Sequence, residues 1–319
     1  MEINNKLQFK NNFPLIFYDK QIMSHFWPFL DENSIKTLKN CLKKTGTKEQ
    51  KKRIKEIVPQ RKENSTSKEY VKELLNWYKR KFFTWCNKPK CPLCDSDKDV
   101  ENIGSVKSDE SERKFQAFRT EVYNCKNHEG GLEVRFPRYN APIKLLDTKT
   151  GRCGEWANLF GAILYACGFK TRLVSNYEDH VWNEFYNEEE KRWIHVDSCE
   201  EAYDTPLVYE QGWGRVMTFI VASSEEEIVD VTPRYVKDWC VIKERRSEVM
   251  ENNLKAVIRN WNNNLANKLN EEEKKKLEER RKYENEELGN KTNNCIIREE
   301  EKMPRQSGSL QWRKDRGEI

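Results

Sequence analysis

Apolar residues follow helical spacing in three parts of the chain. The first part begins at Thr66 and Glu69, which have the spacing of a capping box. The second part covers residues 150–168 and ends at Gly168, a residue suited to the position after a helix. The third part starts near Lys243. These patterns predict three amphipathic helices, and packing on a core is the simplest interpretation of each apolar face.

Between the second and third helices the pattern changes to the shorter period of strands. Short apolar segments separated by polar turns predict strands at 169–175, 180–186, 191–197, 216–222 and 228–232. Further along, residues 270–288 are charged on every side, which predicts a solvated helix or a partner-binding extension. The tail after Gly289 is expected to be loosely ordered. The order of elements predicts an α+β fold with an antiparallel sheet.

We divide the chain into four parts. Residues 1–66 are predicted to form an N-terminal helical extension, with a helix near 32–44, and a linker. Residues 67–136 contain a helix and a small subdomain rich in metal-binding side chains. Residues 137–242 form the α+β core, and residues 243–319 form a C-terminal helix and a charged tail.

Composition and charge narrow the classes of protein. The chain has 319 residues and a net charge of +5, and its basic residues alternate with acidic ones. This argues against nucleic-acid binding, which favours concentrated basic patches. No apolar run approaches the roughly 20 residues of a membrane span, and the N-terminus lacks the apolar region of a secretory signal. We therefore expect the ten cysteines to be reduced thiols. The expected location is the cytoplasm, with the nucleus as a second location.

Two of the predicted strands can pair a histidine with an aspartate. In "EDHVWNEFYNEEEKRWIHVDS" (178–198), pairing of Tyr186 with Lys191 around the polar loop would place His180 opposite Asp197. One face of this hairpin is apolar. The face that carries the pair also carries Trp182, Glu184, Trp193 and His195. We interpret it as a functional face, because buried polar groups need partners.

One cysteine precedes a helix and does not belong to its apolar face. In "TKTGRCGEWANLFGAILYACG" (148–168), Cys153 stands where the helix begins. The positive end of the helix dipole favours a thiolate there. An imidazole can complete the activation, and an aspartate can orient that imidazole. Cys153, His180 and Asp197 are therefore a candidate triad for acyl transfer through a thioester.

Four residues have the spacing of metal ligands. Cys91 and Cys94 form a C-x-x-C pair, and Cys125 with His128 repeats the spacing as C-x-x-H. Two such pairs can complete one tetrahedral Zn²⁺ site. The polar segment between them has little apolar content, so a structural metal would supply folding free energy. The alternative is a loop with free thiols.

Several separate motifs resemble one family. "GRCGEWANLF", "DHVWNEF", "WIHVDSCE" and "GWGRVMTFIVASSEEEIVDVTPRY", preceded by "FTWCNKPKCPLC", resemble the transglutaminase-like core of the cytoplasmic peptide:N-glycanases over roughly residues 70–240. The resemblance implies a papain-like core with a zinc-binding subdomain and flanking helices. It also implies an amidase that cleaves the bond between an N-glycan and asparagine on misfolded glycoproteins and converts the asparagine to aspartate.

The resemblance also implies roles for individual residues. Cys153 would be the nucleophile, His180 the base and then the acid, and Asp197 its orienting residue. The indole N–H of Trp85 would stabilise the oxyanion. At His128 the chain departs from the family, whose usual fourth zinc ligand is a cysteine.

Further positions would bind the substrate. Those that match cleft-lining or sugar-contacting positions of the family are Arg172, Trp182, Glu184, Trp193, Glu200 and Trp213. For Trp156, core packing is the better interpretation. The substrates would carry high-mannose glycans. Terminal helices of compact relatives bind a ubiquitin-shuttle protein linked to the proteasome. The N-terminal helical region and residues 243–288 are the candidates for that role, and plain packing is the alternative for both.

Two other functions stay open. One is another thiol enzyme on the same fold, such as a peptidase or a transglutaminase. The C-x-x-C pair, Glu200 and Trp213 argue against it, because they belong to the glycan-directed branch of the superfamily. The other is a non-catalytic adaptor that binds glycoproteins. The presence of the complete triad argues against this second alternative.

Overall fold

The computed structural model describes residues 48–247, 251–289 and 296–319, so the helix predicted near 32–44 lies outside the described residues. The helices that it contains are α1 (Lys48–Ile57), α2 (Ser67–Trp77), α3 (Glu110–Arg113), α4 (Pro142–Thr148), α5 (Cys153–Ala166), α6 (Thr232–Tyr235), α7 (Trp239–Arg245), α8 (Glu251–Ala266), α9 (Glu271–Gly289) and α10 (Leu310–Asp315). Single helical turns of other types cover Tyr78–Phe82, Val208–Gly212 and Glu299–Lys302.

The strands form three sheets. They are β1 (Thr84–Trp85), β2 (Val100–Lys107), β3 (Arg119–Cys125), β4 (Leu132–Pro137), β5 (Thr150–Gly151), β6 (Thr171–Asn176), β7 (His180–Asn187), β8 (Arg192–Asp197), β9 (Ala202–Tyr203), β10 (Ile220–Ser223) and β11 (Ile228–Asp230). The central antiparallel sheet has the order β11-β10-β6-β7-β8-β9. A small antiparallel sheet contains β2, β3 and β4, and β1 pairs with β5 in parallel. The predicted α+β fold with an antiparallel sheet is confirmed.

Helix α5 packs its apolar face against the central sheet, and this contact forms the main core. Leu159, Phe160 and Ile163 are fully buried together with Phe185 and Ile194 of the sheet. Each such side chain contributes roughly 1.5–3 kcal/mol through burial. Trp156 belongs to the same core, as predicted. The capping box of α2 and the left-handed glycine that follows α5 are confirmed as well.

The hairpin β7–β8 has a register two residues away from the predicted one. Glu184 pairs with His195, and Asn187 stays in the ladder opposite Arg192. The turn therefore covers residues 188–191. The Asn187 side chain accepts a hydrogen bond from the Glu189 N–H, so the turn starts after Asn187 and Asn187 itself stays in the strand. His180 thus lies diagonal to Asp197 rather than opposite it. A shift of two residues leaves every side chain on its predicted face.

Helix α9 is not solvated on every side, so that prediction is wrong. Its residues Leu277, Arg280 and Glu284 are buried. Glu284 accepts hydrogen bonds from Arg172 on β6 and Arg234 on α6. The partner charges lie on other elements, and for this reason the helix sequence alone gives no sign of burial. Ion pairs attach α9 to the central sheet.

Glu184 is the centre of this buried charge cluster. It accepts hydrogen bonds from Arg172 at 2.8 Å, Arg234 at 2.7 Å and the Tyr235 hydroxyl at 2.6 Å. Burial raises the pKa of Glu184, but the two arginines outweigh this effect and lower it to about 2. The carboxylate is therefore charged at neutral pH.

We expect Glu184→Gln to lower the free energy of unfolding by about 3–5 kcal/mol, because two buried guanidinium groups lose their shared anion. Urea unfolding followed by circular dichroism measures the change. Glu272→Gln on the exposed surface of α9 is the control and should leave the midpoint unchanged. Equal midpoints for the two variants would contradict the role of the cluster.

Two predictions about the C-terminal part are also wrong. The helix predicted from Lys243 is interrupted, since α7 ends at Arg245 and α8 begins at Glu251. Residues 296–319 of the predicted loose tail pack on the core and bury Glu301, Arg305 and Glu318. Among the described residues, no helix has the length and apolarity needed to cross a membrane.

Candidate active site

Cys153 is the first residue of α5, and the residues around it fix the start of the helix. The Arg152 N–H donates to Glu155 Oε2 at 3.0 Å, so the third helical residue caps its own helix. A Cβ on Gly151 would lie 2.3 Å from Glu155 Cβ. Only glycine therefore fits where the chain enters the helix beside this cap.

A frame of ion pairs connects the start of α5 with the small sheet. Arg138 donates to Glu155 at 2.6 Å and to Glu121 of β3 at 3.0 Å. Arg152 donates to Glu121 at 2.9 Å. Burial raises the pKa of Glu121, but Arg152 and its other partners lower it to about 2. This frame holds Cys153 at a fixed position relative to the small sheet.

The structure brings Cys153, His180 and Asp197 together. His180 Nε2 lies 2.7 Å from Asp197 Oδ2, and both side chains are buried. Burial lowers the pKa of His180, but the Asp197 carboxylate, with a smaller contribution from the neighbouring Cys153, outweighs this effect and raises the pKa to about 9. The same pairing lowers the pKa of Asp197, against the effect of burial. At neutral pH the ring is therefore an imidazolium beside a carboxylate.

Asp197 has further support that the sequence did not indicate. The Tyr209 hydroxyl donates to Asp197 Oδ2 at 3.0 Å, and His195 Nε2 lies 2.7 Å from the same hydroxyl. His195 Nδ1 accepts the Thr205 N–H, so its proton is assigned to Nε2. Burial lowers the pKa of His195 to about 4, which keeps this ring neutral. Tyr209 lies outside every predicted element, and no local pattern could have identified it.

Cys153 opens into a cavity of about 780 Å³ between the small sheet and the core. Trp85 lines this cavity because β1 pairs in parallel with β5, directly before α5. The Trp85 indole N–H donates to Asn87 Oδ1 at 3.1 Å. The structure therefore places Trp85 in the same cavity as Cys153, with its N–H bonded to a neighbouring side chain.

Four residues predicted to contact substrate lie behind the cavity and do not line it. These four side chains, each less than 4% exposed, are Arg172, Trp182, Glu184 and Trp193. Arg172 stacks on Trp193 at 3.9 Å, and Trp182 stacks on Tyr209 at 4.2 Å. In this structure they support the sheet beneath the candidate triad.

The other two predicted substrate residues contact the C-terminal residues. Glu200 accepts the backbone N–H groups of Gln306 at 2.6 Å and Ser307 at 3.1 Å. Trp213 is buried between His180, whose ring centre is 5.0 Å away, and the guanidinium group of Arg305 at 4.6 Å. Both therefore lie between the triad and the last part of the chain.

The four predicted metal ligands form one cluster in the small-sheet region. The donor atoms of Cys91, Cys94, Cys125 and His128 all lie within 4.8 Å of one another. Cys91 Sγ is 3.2 Å from His128 Nε2, and the Sγ atoms of Cys94 and Cys125 are 3.8 Å apart. The cluster can hold a metal ion.

Comparison with known proteins defines the class. Residues 100–198 match the model of the transglutaminase-like superfamily, and residues 174–289 match the Rad4 transglutaminase-like domain. Among solved structures, a chain of the Rad4/XPC nucleotide excision repair complex covers 78% of this chain and 56% of its own, with a TM-score of 0.46 and 13% identity. The two family models show that the chain has a transglutaminase-like domain.

Curated relatives define the family within this class. The peptide-N(4)-(N-acetyl-beta-glucosaminyl)asparagine amidase of Yarrowia lipolytica is 41% identical over 248 residues, which are 78% of this chain and 68% of that protein. The amidase of Candida glabrata is 38% identical over 82% of this chain and 76% of its own length. The Saccharomyces cerevisiae amidase is 38% identical over 80% and 72%. The chain belongs to this amidase family.

Proposed function

We propose that this protein is a deglycosylating amidase that hydrolyses the bond between an N-glycan and asparagine on misfolded glycoproteins with high-mannose glycans. One observation carries the proposal: Cys153 begins α5 in an open cavity, beside the buried pair of His180 and Asp197. The membership in the amidase family supports the same reaction.

The proposed reaction uses the three side chains in sequence. The Cys153 thiolate attacks the side-chain carbonyl carbon of the glycosylated asparagine. The Trp85 N–H gives up its hydrogen bond to Asn87 and donates to the resulting oxyanion instead, which stabilises it. The His180 imidazolium protonates the nitrogen that leaves as glycosylamine, and a thioester remains on Cys153. His180 then takes a proton from water, and the water attacks the thioester. The products are aspartate and a glycosylamine that decays to free oligosaccharide.

The substrate contacts of the remaining predicted residues stay proposals. We propose that Trp213 and Glu200 act at the sugar end of the cavity, since they adjoin His180 and the C-terminal residues. The burial of Arg172, Trp182, Glu184 and Trp193 favours a supporting role for these four side chains.

Mass spectrometry of a denatured high-mannose glycoprotein tests the proposed function. Hydrolysis through an acyl-enzyme converts the glycosylated asparagine to aspartate, a gain of about one dalton over unmodified asparagine. A glycosidase that cuts within the sugar pair would leave one N-acetylglucosamine on asparagine. A peptidase would shorten the polypeptide, and a transglutaminase would form amide cross-links. An adaptor would leave the glycoprotein unchanged.

We further propose that the metal held by Cys91, Cys94, Cys125 and His128 is one structural Zn²⁺. Two sulfur ligands at about 2.3 Å from a tetrahedral zinc lie about 3.8 Å apart. The separation of Cys94 Sγ and Cys125 Sγ agrees with this value. Three cysteines and one histidine fill the coordination sphere, so the ion would stabilise the small sheet and take no part in the reaction.

Loss of this metal is expected to lower both stability and activity. Cys125→Ser removes one ligand and should abolish stoichiometric zinc binding, lower Tm and reduce deglycosylation. Inductively coupled plasma mass spectrometry measures the metal, and differential scanning calorimetry measures Tm. Cys86→Ser is the matched control, because Cys86 is buried in the same apolar cluster but is not among the four ligands. Equal zinc content in the two variants would contradict this ligand assignment.

For partners and location we propose the cytoplasm or nucleus and an interaction with a ubiquitin-shuttle protein. All eight cysteines of the described residues are free, which agrees with a reducing compartment. The candidate binding regions are the N-terminal region, residues 1–66, and residues 243–288, in which Trp261 and Ile258 of α8 are partly exposed. A pull-down compares the full chain with Trp261→Glu and with a chain that lacks residues 1–47. Equal recovery of the shuttle protein by all three would refute both regions.

A further inference from the structure

Residues 298–319, which we call the C-terminal segment, contribute Arg305, Ser309, Trp312 and Arg316 to the lining of the cavity that contains Cys153. Gln306 and Ser307 donate their backbone N–H groups to Glu200, three residues after Asp197. The Ser309 N–H donates to Asn87 Oδ1, which lines the cavity, at 2.9 Å. The segment is thus attached both to the residues that follow Asp197 and to those that follow Trp85.

Arg305 is the residue of this segment that lies deepest. Its side chain is 1% exposed and lies 4.6 Å from the ring centre of Trp213 and 4.5 Å from that of Trp312. Its Nε donates to Ser307 Oγ at 3.0 Å, and Nη1 donates to Glu318 Oε2 at 2.8 Å. Stacking and two hydrogen bonds therefore hold the guanidinium group in one orientation, while the residue still lines the cavity of Cys153.

The charge of Arg305 is only partly balanced by its partner. Glu318 also pairs with Arg215 at 3.0 Å and with Arg316 at 3.1 Å, and Arg316 pairs with Asp179 as well at 3.4 Å. Three guanidinium groups therefore face two carboxylates. Arg138 and Arg152, two half-buried cations that line the same cavity, are paired with Glu155 and Glu121. Arg305 lines the same cavity as Cys153 and interacts electrostatically with it, and its charge also acts against the protonation of His180. The C-terminal segment therefore brings an excess of positive charge to the cavity that holds the sulfur.

Other ionisable groups line the same cavity or interact with its residues. Those that line the cavity with Cys153 and Arg305 are Lys88, Arg119, Arg138, Arg152, Arg316, Asp97, Glu121, Asp179 and Tyr123. His180 and Cys199 interact with Cys153 from the central sheet, and Glu200 interacts with Arg305. The cationic side chains outnumber the carboxylates, which favours an anion in the cavity.

We propose that Arg305 is a positioning residue for Cys153, and that the C-terminal segment delivers its charge to the active site. The guanidinium group stabilises the sulfur anion before attack and again when the thioester breaks. This inference rests on the proposed role of Cys153 as the nucleophile.

Alkylation by iodoacetamide tests the proposal in the full chain without any glycoprotein. The rate of modification of Cys153 is followed by peptide mass spectrometry from pH 5 to pH 10. We expect Arg305→Met to slow alkylation of Cys153 at pH 7 about tenfold, because the thiolate is the reacting form and loses a neighbouring cation, and we expect the difference from wild type to narrow as the pH rises towards 10. Arg305→Lys keeps the charge and should stay within about threefold of wild type.

Two further variants distinguish the effect of the Arg305 charge on alkylation from the effect of attaching the C-terminal segment to the core. Arg298→Met removes ion pairs to Asp204 and Glu301 at the start of the segment, far from the cavity lining, and should leave alkylation unchanged. Glu318→Gln removes the anion that balances Arg305 and should not slow alkylation at pH 7. Slower alkylation of Glu318→Gln than of wild type at pH 7 would overturn the proposal. So would an Arg305→Met rate that equals the wild-type rate at pH 7, or one that stays below it by the same factor at every pH.

These outcomes are separate from failure of the proposed function. If the wild-type chain releases glycans while Arg305→Met alkylates like wild type, only the Arg305 proposal fails. If the wild-type chain leaves glycoproteins unchanged, the amidase proposal fails whatever the alkylation rates are. If Arg305→Met does not fold, Glu318→Gln and Arg305→Lys still decide between charge and attachment.

Discussion

Replacement of Cys153 by alanine is expected to reduce deglycosylation by roughly 10⁴-fold or more, because the attacking atom is lost and no other described thiol lines the same cavity. Cys153 is only partly buried and begins α5 without capping it through its side chain, so the fold should be retained. Release of glycan from a denatured glycoprotein, followed by mass spectrometry, measures the effect. The urea midpoint of the variant should match that of wild type.

A matched thiol variant controls this experiment. Cys240→Ala removes an exposed cysteine at the start of α7 and should keep full activity. Iodoacetamide should inactivate the wild-type chain and Cys240→Ala at the same rate. Glycan release by Cys153→Ala above one hundredth of the wild-type rate would show that another group performs the attack.

Substitution of Asp197 by asparagine should have the second largest effect, a loss of about 10²–10⁴-fold in kcat/KM. The carboxylate accepts the proton of His180 Nε2 and raises the pKa of the ring to about 9, above its ordinary value. An amide cannot supply that charge. The ring then deprotonates at lower pH, and the thiolate–imidazolium pair is lost in the range where the wild type is active.

The pH profile gives a sharper test of the same variant. In wild type we expect kcat/KM to fall as pH rises through about 9, where His180 loses its proton. In Asp197→Asn this fall should move to lower pH. Because the pKa of His180 is raised in the folded state, its contribution to stability is complete below about pH 6.5 and disappears as pH rises through about 9. An unchanged alkaline limit in the variant would contradict the pairing.

Asp204→Asn is the control for this substitution. Asp204 pairs with Arg192 at 2.7 Å near the same end of the sheet but does not contact His180. Loss of this carboxylate should leave the pH dependence of kcat/KM unchanged. A shift of equal size in both variants would mean that His180 responds to the general charge of this region and not to one carboxylate.

The parts of the site that the sequence predicted depend on local patterns. Cys153 could be placed at a helix start because the apolar period begins directly after it. His180 and Asp197 could be placed on one face because strand alternation survives a register shift of two residues. The exact register could not be predicted, since it depends on how the Asn187 side chain bonds within the turn.

The parts that the sequence missed depend on residues far apart in the chain. Arg172 and Glu284 are separated by 112 positions, so α9 looked solvated while its charges had partners on the sheet. Tyr209 supports Asp197 from a turn without any periodic pattern. Arg305 lies in a polar segment that gave no sign of order. Burial of a charged group requires its partner, and the partner is visible only in three dimensions.

The pairing of Glu121 with Arg138 and Arg152 has a consequence for the interpretation of natural or laboratory variants. Glu121 lies on the small sheet, outside the stretch of chain that contains the triad, yet its two partners set the entrance to α5. A change at this glutamate should therefore impair turnover and also lower the stability of the fold, because Arg138 and Arg152 lose the anion that they share. The activity of such a variant has to be compared at equal amounts of folded protein, so that loss of the enzyme is distinguished from loss of its catalytic rate.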